Sequence, residues 1–199
     1  MKTLFVAMCV LILFLTGCQS SVKENININT RIVIDAASVE TFEEVSRKLH
    51  LAAVYYEKLN LRFVVTEQVK SNKNLTKADC MTDAWENQSH FNVYILPYFG
   101  HIVGYGFFPT DKVCGIIIFG KNTPEVYGHE IGHSLGYLIH PFDDDGSDFV
   151  EDTGDEKSVH TINLMGYSIR DWTMLELTDG QINRFKEQLF LHRSNVILK

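Results

Sequence analysis

A histidine pair with an adjacent glutamate constrains this 199-residue chain more than any other feature. If the segment is helical, His129 and His133 lie on neighbouring turns of one face, so both imidazoles can reach a single metal ion. Glu130 stands beside them and can handle a water molecule on that metal. Gly136 offers a place to end the helix, because a left-handed conformation costs glycine little. The spacing therefore predicts a helix that carries a zinc site.

The first 17 residues differ from the rest of the chain. Lys2 supplies a positive charge, and residues 4–16 are apolar except for the final threonine. Because this run is too short for a comfortable membrane span, we predict a signal peptide at 1–17. It ends in Leu15-Thr16-Gly17-Cys18, which resembles the bacterial lipobox, where the cysteine is lipidated and becomes the new N-terminus. The resemblance implies a lipid on Cys18 and a polar tether at 18–30.

This N-terminus bears on the location of the protein. A lipidated Cys18 implies a bacterial cell-envelope protein, anchored to the outer membrane or the cell surface. The alternative is a plain signal sequence with an incidental cysteine, and then the protein is secreted. In both cases the folded part is one domain at 31–199, with an upper part at 31–136 and a lower part at 137–199.

The charge of the mature chain argues against several partners. Of the 18 basic and 25 acidic residues, the predicted signal peptide removes only Lys2, which leaves a net charge of −8. Such a chain is a poor candidate for nucleic acid or for an anionic membrane surface. Membrane attachment would come from the lipid alone, since no further apolar span follows. We expect a monomer.

Two cysteines remain after those in the signal peptide and lipobox. Cys80 and Cys114 would lie in an exported compartment that permits disulfides. A bridge between them is one interpretation. Two separate thiols are the other, because sequence does not show proximity.

The first half of the domain reads as β-α-β. Residues 31–36 predict a strand, and Thr41 with Glu44 is a capping signal for one long amphipathic helix that reaches Leu59. Residues 61–69 are rich in β-branched types and predict a second strand. The connection favours parallel pairing.

The second half carries three more apolar segments before the histidine motif. Residues 70–90 are polar and predict a surface excursion. Segments 91–98, 103–109 and 113–119 predict strands; the second suits an edge because of its proline and glycines, and the third a position covered on both faces. The motif helix is expected to begin near Thr123 or Pro124, and Thr178 with Gln181 predicts the cap of a final helix.

An acidic run follows the motif, at residues 143–156. Such a run is most often a solvated loop. Its alternative is a calcium site, because clustered carboxylates near Gly146 are suitable hard ligands, but the spacing does not match an EF-hand.

Several residues beyond the bare motif resemble the metzincin clan of zinc metallopeptidases. They are Gly136, a further histidine at His140, and the stretch Asn163-Leu164-Met165-Gly166-Tyr167. The resemblance implies that Met165 lies in a turn beneath the metal. It also implies that Tyr167 can face the substrate and help to stabilise the oxyanion.

Within that clan the chain is most similar to the pappalysin-type families. The resemblance lies in the Gly-Tyr-Gly segment at 104–106, the buried strand after it and the Thr-x-Gly-Gln start of the last helix. It implies an α+β, mixed α/β zincin fold: a twisted, mainly parallel sheet with an antiparallel edge strand, a long back helix, an active-site helix and a small C-terminal part. Gly104, Tyr105 and Gly106 would form the rim of the substrate cleft.

The third metal ligand departs from the family pattern. The pattern expects a histidine ten residues after the first, where this chain has Ile139, and His140 lies one further. A loop after Gly136 could absorb the extra residue. His160, Asp143 and Glu151 are the alternatives to His140, and Glu151 would give a gluzincin-like site.

These observations predict a zinc-dependent endopeptidase that acts on proteins or peptides, with Glu130 as the general base. The alternative from another class is a catalytically silent envelope lipoprotein that uses the same fold to bind a partner or a metal.

Overall fold

The computed structural model describes residues 24–98, 100, 102–107, 113–138, 163–165 and 175–198. Its strands are β1 (Ile26–Ile34), β2 (Leu61–Lys70), β3 (Phe91–Leu96), β4 (Gly104–Gly106) and β5 (Gly115–Phe119). Its α-helices are α1 (Phe42–Ala52), α2 (Lys77–Glu86), α3 (Pro124–Gly136) and α4 (Asp179–His192). Two 3₁₀ segments, Ala53–Leu59 and Ser194–Val196, follow α1 and α4.

The strands form one mixed sheet in the order β2-β1-β3-β5-β4. Neighbouring strands are parallel except for β4, which runs antiparallel to β5 at the edge. The predicted mixed α/β fold with a mainly parallel sheet and an antiparallel edge strand is therefore confirmed.

Both faces of the sheet are covered. Ile32, Ile34, Val93 and Ile95 belong to a large core that also includes residues of α1, α3 and α4. On the other face, Val33, Tyr94 and Ile117 pack in a smaller core with residues of α2. This two-sided burial explains why the central strands read as unbroken apolar runs rather than as alternating ones.

The first helix begins as predicted but changes form. Thr41 and Glu44 make the complete capping box, yet the α-helix ends at Ala52 and continues as 3₁₀ to Leu59. Tyr56 has non-helical backbone angles in that segment and is fully buried. Its hydroxyl donates to the carbonyl oxygen of Gly128 in α3 at 2.6 Å. The prediction of one continuous helix was wrong. Through the Tyr56 hydrogen bond, the 3₁₀ segment holds the back helix against the motif helix.

The polar excursion at 70–90 contains a helix that the sequence pattern did not predict. Helix α2 has its own capping box, Thr76 with Asp79, and buries only Cys80 and Ala84. Two small residues four apart give too narrow an apolar stripe to stand out against the polar positions around them.

The two remaining cysteines are not bridged. Cys80 and Cys114 are both free thiols, and both are buried. Cys80 belongs to the core on the α2 face of the sheet, whereas Cys114 belongs to the core on the opposite face. The sheet lies between them, so of the two interpretations the bridge is wrong and the two separate thiols are confirmed.

Within the described residues no helix is both long and apolar enough to cross a membrane. The predicted signal peptide and Cys18 lie outside those residues.

The buried hydroxyl of Tyr56 provides a test of how the back helix supports α3. We expect Tyr56→Phe to lower the free energy of unfolding by about 1–2 kcal/mol, because a buried hydrogen bond is lost. Urea denaturation measures this. Tyr55→Phe is the matched control: its half-buried hydroxyl lies 3.1 Å from a Glu125 oxygen, so water can replace the bond and the loss should be smaller. Equal losses would contradict the role given to Tyr56.

Candidate metal centre

The motif lies on a helix that begins and ends at the predicted residues but has its left-handed residue one position later. Thr123 is the N-cap and Pro124 occupies the first turn, as predicted. Gly136 is still helical, and the left-handed residue is Tyr137, with φ +49°. Gly136 is instead required by packing, because a Cβ there would lie 2.3 Å from Cδ2 of Phe185 in α4. The helix therefore ends at Gly136, as predicted, but the left-handed conformation expected of this glycine is found at Tyr137.

His129 and His133 turn their Nε2 atoms towards the same point. The Nδ1 atom of His129 lies 2.8 Å from the Leu164 carbonyl oxygen, and that of His133 lies 2.5 Å from the Leu138 carbonyl oxygen. A carbonyl only accepts, so these contacts assign the proton to Nδ1 in both rings and leave Nε2 as the acceptor atom of each neutral imidazole.

The spacing of these two nitrogens fits a shared metal ion. The Nε2 atoms are 3.1 Å apart. Two nitrogens that each lie about 2.0–2.1 Å from one zinc ion would have a similar separation. Two neutral acceptor nitrogens repel at this distance, and a cation between them removes the repulsion. The pair is therefore suited to hold zinc, and its Nδ1 contacts are the outer hydrogen bonds that orient metal-binding histidines.

The third ligand is not among the described residues. Within them, no group of three or more His, Cys, Asp or Glu side chains gathers that could hold a metal. The candidates for the third position, His140, His160, Asp143 and Glu151, all lie outside, as do Tyr167 and the acidic run proposed for calcium. Their assignments stay predictions.

Glu130 lies on the same helix in a dry environment. The residue is only 6% exposed. Burial raises the pKa of its carboxyl group to about 8, and a hydrogen bond from the Gly106 backbone N–H opposes part of that rise. The carboxyl group is therefore positioned by the edge strand and, without a metal, binds its proton more tightly than an exposed glutamate.

The edge strand approaches α3 so closely that it needs glycine. A Cβ at Gly104 would lie 2.4 Å from Oε1 of Glu130. A Cβ at Gly106 would lie 2.6 Å from both the Glu130 carbonyl oxygen and the His133 Cβ. The side chain of Tyr105, between them, packs in the core on the opposite face of the sheet. Of the three residues predicted as a cleft rim, Gly104 and Gly106 thus lie beside Glu130, whereas the Tyr105 side chain faces the other way.

Met165 also contacts the motif helix through a glycine. It is fully buried, and a Cβ at Gly132 would lie 2.4 Å from its Sδ atom. The turn at residues 163–165 therefore lies directly against α3. Its relation to a metal remains a prediction.

Arg193 is a residue that sequence reasoning missed. This buried side chain donates from Nε to the Ser134 carbonyl oxygen at 3.2 Å and from Nη2 to the Phe107 carbonyl oxygen at 3.5 Å. It thereby joins the last turn of α3 to the end of the edge strand, and its positive charge suits a helix C-terminus. An arginine that follows a helix with polar neighbours reads as solvated, so no local signal identified it.

Comparisons with known proteins give a fold but no sequence family. No protein-family model matches the sequence, and neither does any curated protein. The structure is similar to mature mirolysin from Tannerella forsythia in complex with a cleaved peptide, with a TM-score of 0.60 and 14% identity over 88% of this chain and 99% of that one. It is also similar to metalloproteinase-II from Bacteroides fragilis, with a TM-score of 0.58 and 12% identity over 85% of this chain and 55% of that one.

At these identities the likeness is one of fold. This chain spans about half the length of the Bacteroides protein and nearly all of the mirolysin chain. The chain therefore has a metallopeptidase fold.

The contact between α3 and the edge strand can be tested with two glycines. We expect Gly106→Ala to lower the free energy of unfolding by about 1–3 kcal/mol, because the new methyl group meets backbone and cannot be accommodated by a rotamer change. Gly128→Ala, in helix α3, is the control. A Cβ at Gly128 would lie 3.0 Å or more from side-chain atoms, and alanine favours the helix. Chemical denaturation should separate the two, and a tolerated Gly106→Ala would refute the close approach.

Proposed function

We propose that this protein is a zinc-dependent endopeptidase in which His129, His133 and His140 hold the metal. The observation that carries the proposal is the pair of Nε2 atoms 3.1 Å apart, each imidazole being oriented by a backbone carbonyl, with Glu130 on the same helix. The metallopeptidase fold supports this reading. The pappalysin-type relationship is part of the proposal, since it rests on the sequence resemblance.

Glu130 is the general base in this proposal. Bound zinc would lower the pKa of a water molecule to about 7 and polarise the carbonyl of the scissile peptide. The Glu130 carboxylate accepts a proton from the attacking water and then passes it to the nitrogen of the leaving amine. Its burial and its hydrogen bond from Gly106 support both transfers, because the group is held in place and bulk water does not compete. Tyr167 would stabilise the developing oxyanion.

The substrate is proposed to be a peptide in extended form. Among the described residues, β4 is one of the two edge strands of the sheet and pairs with β5 on one side. An extended peptide can add to such an edge through main-chain hydrogen bonds. Because Gly104 and Gly106 lie against Glu130, a peptide along this edge would bring a peptide bond close to the general base. The cleaved peptide bound to mirolysin is consistent with this class of substrate.

The cellular setting is also proposed from the sequence. We propose a signal peptide at 1–17 and lipidation of Cys18, so that a monomeric domain is tethered to the bacterial cell envelope. Calcium binding by residues 143–156 stays a secondary hypothesis.

The general base is tested by an isosteric change. We expect Glu130→Gln to reduce hydrolysis of a fluorescently labelled denatured protein by about 10²–10⁴-fold, because the amide does not accept the proton. Zinc content, measured by mass spectrometry of the metal, should not change. Glu125→Gln is the control, since it makes the same replacement on the first turn of the same helix. Bound zinc with cleavage that does not depend on Glu130 would favour the silent lipoprotein instead.

The third ligand is tested by zinc stoichiometry. We expect His129→Ala and His140→Ala each to lose the equimolar zinc of the unaltered protein, because removing one of three protein ligands weakens the site severely. Glu151→Ala and His160→Ala should retain it. Retention by His140→Ala together with loss by Glu151→Ala would replace the proposed site by a gluzincin-like one.

A further inference from the structure

In the part of the chain that the structure describes, three helices begin with a capping box, in which a threonine and the residue three positions later hydrogen-bond to each other's backbone N–H. The pairs are Thr41 with Glu44, Thr76 with Asp79, and Thr178 with Gln181. Glu44 and Asp79 are carboxylates with 34% and 31% of their side-chain surface exposed, and each also pairs with a surface lysine. Gln181 is an amide and is only 1% exposed. The last box therefore has a different environment from the other two.

Gln181 uses both ends of its amide. Its Oε1 atom accepts from the Thr178 N–H at 3.0 Å and from Asn163 Nδ2 at 2.8 Å, and its Nε2 atom donates to Asn163 Oδ1 at 3.2 Å. A glutamate could accept the first two bonds but could not make the third, because a carboxylate has no proton to donate. Capping alone does not require an amide here, whereas pairing with Asn163 does.

Asn163 connects Gln181 to the turn that contains Met165. Its Oδ1 atom also accepts from the Met165 N–H at 2.9 Å. The same turn is joined to the segment before α4 by the Leu164 N–H, which donates to the Glu176 carbonyl oxygen at 3.0 Å. Because Asn163 and Gln181 are both buried, a bond lost between them is not replaced by water at no cost. The amide pair thus fixes the backbone of residues 163–165.

The turn at residues 163–165 contacts α3 at two points. The Leu164 carbonyl oxygen lies 2.8 Å from His129 Nδ1, and the Met165 side chain lies against Gly132. A displaced turn would weaken the hydrogen bond that sets both the proton position and the orientation of the His129 ring.

We infer that Gln181 is a positioning residue for the metal centre, which acts through Asn163 and the Leu164 carbonyl to orient His129. The inference rests on the proposed zinc site. Hydrogen bonds then connect the N-terminus of the last helix to the proposed metal ligand His129. Among the described residues, the capping boxes of α1 and α2 have no such connection.

Two variants of Gln181 test the inference in the full-length protein. Gln181→Glu keeps the capping box, but it either sets its carboxylate against Asn163 Oδ1 or forces Asn163 to flip and lose the Met165 N–H. Gln181→Met keeps the shape and adds no charge, and it removes all three bonds. We expect each to weaken zinc binding about tenfold, as loss of a partner behind a metal ligand typically does. Competition against a chromophoric zinc chelator measures this.

The control is Asp79→Ala, which removes the equivalent capping side chain from α2. It should lower the melting temperature as Gln181→Met does and leave zinc affinity unchanged. Nitrogen NMR of ¹⁵N-histidine-labelled, zinc-free protein gives a second measurement that needs no metal. His129 should be in the Nδ1–H form in the unaltered protein and in a mixture of tautomers in both Gln181 variants.

The outcomes separate this inference from the proposed function. Zinc bound through His129 with unchanged affinity and tautomer in a folded Gln181 variant would overturn the positioning role alone. If only Gln181→Met folds, the test is its zinc affinity compared with that of Asp79→Ala: equal affinities would overturn the positioning role. An unaltered protein that binds no zinc would overturn the positioning role together with the zinc site.

Discussion

The close approach of helix α3 to its neighbours is the constraint on which the rest of the structure depends. Gly106 of the edge strand meets the backbone of the helix, Gly132 meets Met165, and Gly136 meets Phe185, in each case so closely that a Cβ atom would force the neighbour to shift. These contacts come from the sheet edge, from the turn at 163–165 and from α4. The motif side chains are thus fixed by a helix that is held from several directions, and glycine is what permits it.

The electrostatics of the centre follow from the same packing. Backbone carbonyls accept hydrogen bonds from the Nδ1–H groups of both histidines, so the Nε2 acceptor atoms converge and favour a cation. Glu130 is buried against the edge strand, where it keeps one hydrogen bond from Gly106 and loses most of its water. A buried carboxylate on the helix that carries two converging imidazoles is costly without a metal and favourable beside one, which supports the zinc proposal on physical grounds.

Local signals were sufficient for much of the fold. The capping boxes at Thr41 and Thr178 depend only on residues three apart, and Pro124 presets the start of α3, so each could be read from a few positions. The buried strands could be predicted from their runs of β-branched residues. Helix α2 and the 3₁₀ segment were missed, because their form depends on a two-residue apolar stripe and on one tyrosine hydroxyl that reaches another helix.

The sequence by itself determined that His129, Glu130 and His133 lie together on one helix, because residues three and four apart are neighbours on a helix surface. Only the tertiary structure decided what surrounds them. That the edge-strand glycines face Glu130, that Arg193 joins α3 to the end of the edge strand, and that Cys80 and Cys114 lie on opposite faces all depend on contacts between segments distant in the chain. Such contacts leave no periodic or local trace, because they are set by the way whole elements pack and not by the conformation of any one of them.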